Sequence, residues 1–242
     1  MNLLLVEAGE VAGDLVTVEG RRATHLRDVL GVIVGSSVRA GVVGGGVGSA
    51  EVVSDTDGRI TLRIAVGDGA PAPLPVEIIL AVPRPKVLTR TIEAIASFGA
   101  LRITLTNAWR VDKSYLSSPR LAPDALAHAA RLGAEQGVTT HVPKLLVYRR
   151  LMELLDTRFA KPGGDLRLIA HPTGIPLENA VRSDAPLTLA VGPEGGWIER
   201  ELETFVARGF VAVSLGTQIL RVETAVASAL GQLVLLRRLS ER

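Results

Sequence analysis

The hydrophobic positions change period about a quarter of the way along the chain. Up to residue 68 the apolar residues fall in short runs, Leu3–Val6, Leu15–Val18, Val38–Val43, Ala50–Ser54 and Ile60–Val66, each read as a strand. Turn residues separate them, and both Asp57-Gly58 and the run Gly44-Gly45-Gly46 suit hairpins. One stretch, Arg21–Leu30, has helical spacing and predicts Leu26, Val29 and Leu30 on its inner face. Together these elements describe a small β-barrel. Gly69–Pro75 follows, with three prolines in seven residues, and reads as a semi-rigid extended connector.

Beyond the connector the pattern alternates between strand and helix. Val76–Val82 is a continuous apolar run of the kind buried on both faces of a parallel sheet. A helix follows to Phe98, with Ile92, Ile95 and Ala96 inward and Gly99 as its stop. Arg102–Thr106, Val142–Val147, Leu166–Ala170, Leu187–Val191 and Val211–Leu215 are further strands. Pro123–Gln136, Arg149–Phe159, Ile198–Arg208 and Val222–Leu239 are helices, the third with Ile198, Leu202, Phe205 and Val206 on its apolar side. The expected architecture is α/β with two domains, residues 1–70 and 71–242.

Three strand ends in the second half carry unusual loops. Leu187–Val191 runs into Gly192-Pro193-Glu194-Gly195-Gly196, whose glycines let the main chain lie against a ligand. Val211–Leu215 runs into Gly216-Thr217-Gln218-Ile219-Leu220-Arg221 and then a helix, and Leu166–Ala170 ends in His171-Pro172-Thr173-Gly174. Strand–loop–helix repetition places all three at the carboxyl edge of a parallel sheet, where open α/β folds bind ligands. Taken alone, GPEGG reads first as a tight turn between strand and helix. It lacks the Lys-Ser/Thr of a phosphate-binding P-loop. Gly46-Val47-Gly48 has no third glycine and opens no helix, so it is not a dinucleotide fingerprint.

The pair GPEGG and LGTQILRVETA resembles the signature of the SPOUT methyltransferases, and within them the RsmE-type enzymes. Those methylate N3 of a uridine in 16S ribosomal RNA with S-adenosylmethionine. The resemblance is strongest from Leu187 to the C-terminus. It implies a C-terminal α/β trefoil-knot domain, a small N-terminal PUA-like β-barrel, a homodimer joined through the knot domain, and small-subunit ribosomal RNA as partner. It also implies a cofactor pocket of His171, Pro172, Gly192, Pro193, Glu194, Gly195, Gly196, Leu215, Gly216, Ile219 and Leu220.

Methyl transfer from a sulfonium is mainly a matter of orientation, but uridine N3 must also lose a proton. Arg221 is the candidate for stabilising the charge that spreads onto the uracil oxygens; structurally it would instead pair with Glu194 or Glu223. Glu194 is the candidate proton acceptor, with direct loss to water as the alternative. His25 and Arg27 fall where the family has an H-x-x-x-V-L stretch and are candidate RNA contacts by that resemblance, although Gly31 stands in place of the arginine that usually continues it. Glu135-Gln136 matches a family position without the arginine expected shortly after it.

Composition narrows the chemistry. The 242 residues are 47% hydrophobic and 21% charged, as in globular proteins. No apolar run approaches the ~18 residues of a membrane span, and the N-terminus lacks a secretory pattern, so the cytoplasm is the expected compartment. There is no cysteine, which removes zinc–thiolate sites and any thiolate nucleophile for methylating a pyrimidine carbon. The four histidines have no metal-ligand spacing, so no metal is expected. Charge is uneven: residues 1–70 hold six basic and nine acidic residues, net −3. Residues 84–120 hold seven basic against two acidic, net +5. Arg84, Lys86, Arg90, Arg110 and Lys113 in that segment are candidate RNA contacts at one sheet edge, and a solvated face accounts for the charge equally well. The acidic balance of the first domain points to a positioning role. Trp109 either stacks on an unpaired base or fills the interface between domains. A non-catalytic RNA- or ribosome-binding protein that keeps the fold is the alternative function.

Overall fold

The computed structural model describes residues 2–181 and 185–240. The first sheet is built from β1 (Leu4–Val6), β2 (Val11–Ala12), β3 (Leu15–Val18), β4 (Ser37–Val42), β5 (Val47–Thr56) and β6 (Arg59–Val66). Its order is β1-β4-β5-β6-β3-β2, and only β1 and β4 run parallel. The β5–β6 hairpin turns at Asp57 and Gly58, both with positive φ (51° and 78°), as the right-handed twist of the flanking strands favours. Helix α1 (Gly20–Asp28) lays Ala23 and Leu26 on a core made by Leu4, Val16, Val18, Ile60 and Leu62. The helix ends two residues earlier than its apolar spacing indicates. Val29 and Leu30 therefore leave the helical register and are 65% and 45% exposed, not inward.

The second sheet is wholly parallel, in the order β12-β10-β11-β7-β8-β9. Its strands are β7 (Leu74–Ala81), β8 (Ala100–Thr106), β9 (Lys144–Tyr148), β10 (Leu166–Pro176), β11 (Leu187–Val191) and β12 (Phe210–Ser214). Helices α2 (Pro85–Ser97), α3 (Pro123–Gly137), α4 (Leu151–Arg158), α6 (Glu199–Val206) and α7 (Val222–Ser240) cover it, with a one-turn α5 (Leu177–Ala180). Central β7 and β11 are buried on both faces, which is why their sequences are largely apolar, interrupted only by the buried Glu77 and Thr188. In α6 the buried side chains are Glu201 and Phe205, and Val206, expected inward, is 51% exposed at the frayed end.

Helices α2 and α3 meet backbone to backbone. A Cβ on Gly133 would lie 2.2 Å from the Glu93 carbonyl oxygen, and one on Gly137 would lie 2.1 Å from that of Ser97. Because Gly137 is committed to that contact, the left-handed cap of α3 falls on Val138, at φ 56°. The same helix holds the first sheet in place. Leu3, Leu5 and Ala134 form a buried cluster, Arg131 bonds Glu7 and the Leu5 carbonyl, and Arg21 pairs with the buried Glu135 at 3.2 Å.

The segment 171–174 is not the free loop its proline and glycine indicate. It belongs to β10, which bulges between Ala170 and Ile175 and then pairs with β12 again. Gly174 makes this possible, since a Cβ there would lie 2.4 Å from the Val213 nitrogen.

Candidate functional site

Because β10, β11 and β12 are neighbours and parallel, their carboxyl ends open on one cleft. It is a cavity of about 380 Å³, within the range of small-ligand sites. All eleven residues of the expected cofactor pocket line it: His171 and Pro172 from the bulge of β10, residues 192–196 after β11, and Leu215, Gly216, Ile219 and Leu220 after β12. Gly196, at φ 71°, turns the GPEGG loop. The backbone N–H groups of Gln218, Ile219 and Leu220 make no hydrogen bond among the described residues, which leaves polar main chain available to a ligand. His171 Nδ1 accepts the Thr173 backbone N–H at 3.3 Å, leaving Nε2 as the free ring nitrogen.

Several lining residues carried no signal in the sequence. Trp197 is 5% exposed and lies against Gly192, with its indole Nε1 buried and without a hydrogen-bond partner among the described residues. Ser214 stands at the end of β12, and Ala225 comes from the start of α7. Gln232, about two turns further along α7, donates to the Leu215 carbonyl at 3.0 Å and so holds the β12 loop to the last helix. Only its position on a helix already expected to abut the loop hinted at that bond.

The two candidate catalytic side chains are placed differently. Glu194 is exposed, and its Oε1 accepts the backbone N–H of Arg84 at 2.9 Å. Arg221 is exposed at the start of α7, between the lining residues Leu220 and Val222 but not itself lining the cavity, and its carbonyl accepts the Ala225 N–H at 2.7 Å. Its guanidinium makes no hydrogen bond or ion pair among the described residues, so neither Glu194 nor Glu223 holds it.

The candidate RNA contacts divide into two groups. Arg84 and Lys86 stand at the N-terminus of α2, Arg90 one turn on, and Arg110 and Lys113 in the segment after β8. β7 and β8 are adjacent, so these five exposed cations share the cavity's edge of the sheet. Arg110 reaches the cavity itself, donating to the Gly195 carbonyl. Arg102, counted in the same basic segment, is at the opposite end of β8 and pairs with Glu77. His25 and Arg27 are not with the band. His25 lines a crevice between the two sheets with Arg21, Glu93 and Glu135, and burial pushes its imidazole below the ordinary value. Arg27 is clamped by Asp55, its Nε at 2.9 Å from both carboxylate oxygens. Trp109 does not fill an interface: it is 78% exposed.

Parallel strands, a switch in strand order and a small cavity of glycine-rich loops at the strand ends define an α/β enzyme class with its ligand at the carboxyl edge. A sequence model described as "RNA methyltransferase domain" matches residues 70–234, about two thirds of the chain. The chain belongs to that family, and within it to the RsmE-type SPOUT methyltransferases.

It is 30% identical to ribosomal RNA small subunit methyltransferase E of Treponema pallidum, over 95% of this chain and 89% of the relative. It is 26% identical to the Synechocystis protein of that name, over 95% and 76%. Its fold is similar to a ribosomal RNA small subunit methyltransferase E from Neisseria gonorrhoeae bound to S-adenosyl methionine (TM-score 0.82, 24% identity, 98% of both chains). It is also similar to a Legionella pneumophila methyltransferase in complex with the same cofactor (TM-score 0.79, 22% identity, 96% of both chains).

Proposed function

We infer that this chain is an S-adenosylmethionine-dependent methyltransferase of small-subunit ribosomal RNA, acting on N3 of a uridine in 16S rRNA. The observation that carries this is the meeting of GPEGG with Leu215, Gly216, Gln218, Ile219 and Leu220 across one cavity, in a chain of the RNA methyltransferase family. The residues present fit the cofactor: free backbone N–H groups after β12, apolar walls from Leu215, Ile219 and Leu220, and glycines that admit the main chain at close range. When bound, the cofactor supplies an electrophilic methyl on a sulfonium sulfur that departs as a neutral thioether.

The chain's own part is to orient the uracil and manage its proton. Arg221, with no internal partner, is free to face the O2 or O4 on which charge develops as N3 loses its proton. Glu194 Oε1 is held by the Arg84 N–H, and Oε2, without a partner among the described residues, takes that proton. Arg84, Lys86, Arg90, Arg110 and Lys113 meet phosphates around the target.

The rest of the reading follows from the same resemblance. Residues 1–70 are a PUA-like domain that positions the enzyme, and residues 71–242 a trefoil-knot domain. The exposed Leu235 and Leu239 of α7 belong to a homodimer face. No helix of the described residues is long and apolar enough to cross a membrane, and a ribosomal substrate fits a cytoplasmic enzyme.

The test is a calorimetric titration with S-adenosylmethionine together with mass mapping of rRNA from cells with and without the gene. Binding in the micromolar range and loss of one methyluridine are expected. No binding at millimolar cofactor would leave a non-catalytic RNA-binding protein.

A further inference from the structure

Trp109 is one of two tryptophans in the chain, and the two are placed oppositely. Trp197 is buried in the cavity wall, whereas Trp109 is 78% exposed and its ring meets no other ring among the described residues. Its backbone is not loose. The Trp109 N–H donates to Glu201 Oε1 at 2.8 Å, and Glu201, 9% exposed, is itself fixed by the Ile198 N–H at 3.1 Å on its other oxygen. Ala108 and Val111 on either side are buried in the main core, and the Val111 N–H closes the turn onto the Ala108 carbonyl at 3.1 Å. With the backbone anchored at three points, only the side-chain torsions of the indole remain to be ordered when it meets a planar partner.

The surroundings identify that partner. The next residue, Arg110, bonds the Gly195 carbonyl and forms part of the cavity wall. Lys113 follows in the same segment, and Arg84 and Lys86 stand on the adjacent strand end. An exposed aromatic on the same sheet edge as several cations is the composition of a single-stranded nucleic acid platform, in which phosphates meet the charges and a base stacks on the ring. A protein partner would be met by apolar neighbours; here the exposed charged neighbours in the segment are Arg110, Asp112 and Lys113, a net positive set. Trp109 itself does not line the cavity. Arg110, the next residue, does line it, so the base assigned to Trp109 is a neighbour of the one in the cavity.

We propose that Trp109 is a positioning residue for the RNA: its indole stacks on an unpaired base next to the reacting uridine, setting the register that delivers that uridine to the cavity. This rests on the methyltransferase reading above. The outer nucleotide is fixed on Trp109, the inner one faces Arg221 and the GPEGG loop, and Arg110 separates the two positions.

The test uses the full chain with 30S subunits from a strain lacking the gene, and variants Trp109→Ala, Trp109→Phe and Trp109→Tyr. Trp109→Ala is expected to raise KM for the subunit about tenfold, the worth of one base stack, with cofactor affinity by calorimetry and kcat both near wild type. Trp109→Phe and Trp109→Tyr are expected to restore most of the KM. In parallel, a uridine decamer should quench the emission of the exposed tryptophan in the wild type and leave that of Trp109→Phe unchanged. An unaltered KM in Trp109→Ala, beside an active wild type, overturns the stacking role alone. Conversion of a dimer to a monomer by Trp109→Ala, read by light scattering, overturns it in favour of a second copy of the chain. A wild type that neither binds cofactor nor methylates removes the underlying reading as well.

Discussion

Glu194 of the GPEGG turn accepts the backbone N–H of Arg84 at 2.9 Å, so the loop after β11 is fastened to the N-terminus of α2. The bond spans 110 residues of sequence and joins one wall of the cavity to the start of the basic band. It also places a carboxylate at the positive end of a 13-residue helix. Glu194→Ala removes the tie and is expected to weaken cofactor binding about fivefold, since a hydrogen bond to a charged group at an exposed site is worth about 1 kcal/mol. Glu194→Gln keeps an oxygen acceptor for Arg84 and should bind cofactor as the wild type does. If Glu194 also receives the N3 proton, the glutamine variant loses turnover at unchanged affinity. Equal turnover in wild type and Glu194→Gln assigns the proton to water and leaves Glu194 a structural clasp.

Arg221 stands at the entry to α7 with no side-chain partner among the described residues. A guanidinium left without internal bonds has little structural work to lose. Arg221→Ala is therefore expected to leave melting temperature and cofactor affinity near wild type. Turnover should fall about 10²–10³-fold, as when a donor to developing charge is removed. Calorimetry and single-turnover methylation of 30S subunits separate the two quantities. A variant that methylates normally when saturated but binds cofactor poorly moves Arg221 into the pocket.

The cavity was legible in the sequence because its chemistry is local. Glycines at 192, 195, 196 and 216 mark where the main chain approaches something, and strand–loop–helix repetition says which way those loops point. What lay beyond reach was decided by tertiary contact. Nothing in a local window shows that Gly174 is a glycine because Val213 passes beside it, so residues 171–174 read as a loop when they are bulged strand. Periodicity extended α1 through Val29 and Leu30, but the helix stops at Asp28 and both side chains face solvent. Arg27 and Arg84 look alike in sequence, and only the fold shows that Asp55 occupies the first while the second stands at the cavity edge. For Trp109 the sequence left two roles open, and exposure removes the buried one.

Gly174 provides a direct check on how the bulge shapes the site. An added Cβ would sit 2.4 Å from the Val213 nitrogen and 2.5 Å from the Ala212 carbonyl carbon, and main chain cannot move aside cheaply. Gly174→Ala must lift β10 from β12, carrying His171 and Pro172 away from the loop after β12. The expected result is a loss of about 1–3 kcal/mol in stability from overpacking, together with weaker cofactor binding. Gly164→Ala, at a position with no atom within 4 Å of the new carbon, is the control and should change neither. Normal affinity in a destabilised Gly174→Ala would show that the cavity does not depend on the bulge.

At the opposite end of the sheet, Glu77 governs how stability responds to acid. It is 6% exposed on β7, accepts Thr104 Oγ1 at 2.6 Å and Arg158 Nη2 at 2.7 Å, and has Arg102 Nη1 at 3.3 Å. Burial pushes its carboxyl up, but the hydrogen bonds from Arg158 and Thr104 and the charges of Arg158 and Arg102 outweigh it, and the net shift is downward. A carboxyl held below its unfolded value binds fewer protons in the folded chain than in the unfolded one, so stability rises with pH across that window. The contribution is complete above the unfolded glutamate value of about 4.3 and is lost as pH falls through the folded value. Glu77→Gln leaves Arg158 without its counter-charge and is expected to cost on the order of 3 kcal/mol at pH 7. Other carboxylates titrate nearby, Glu10 among them, with its value lowered chiefly by the Arg22 hydrogen bond. The informative quantity is therefore the difference between wild type and variant. Chemical denaturation from pH 7 to pH 3 should show that difference constant above about pH 5 and shrinking below it. A gap of the same size at pH 3 as at pH 7 would mean that Glu77 holds the sheet by packing and not by its charge.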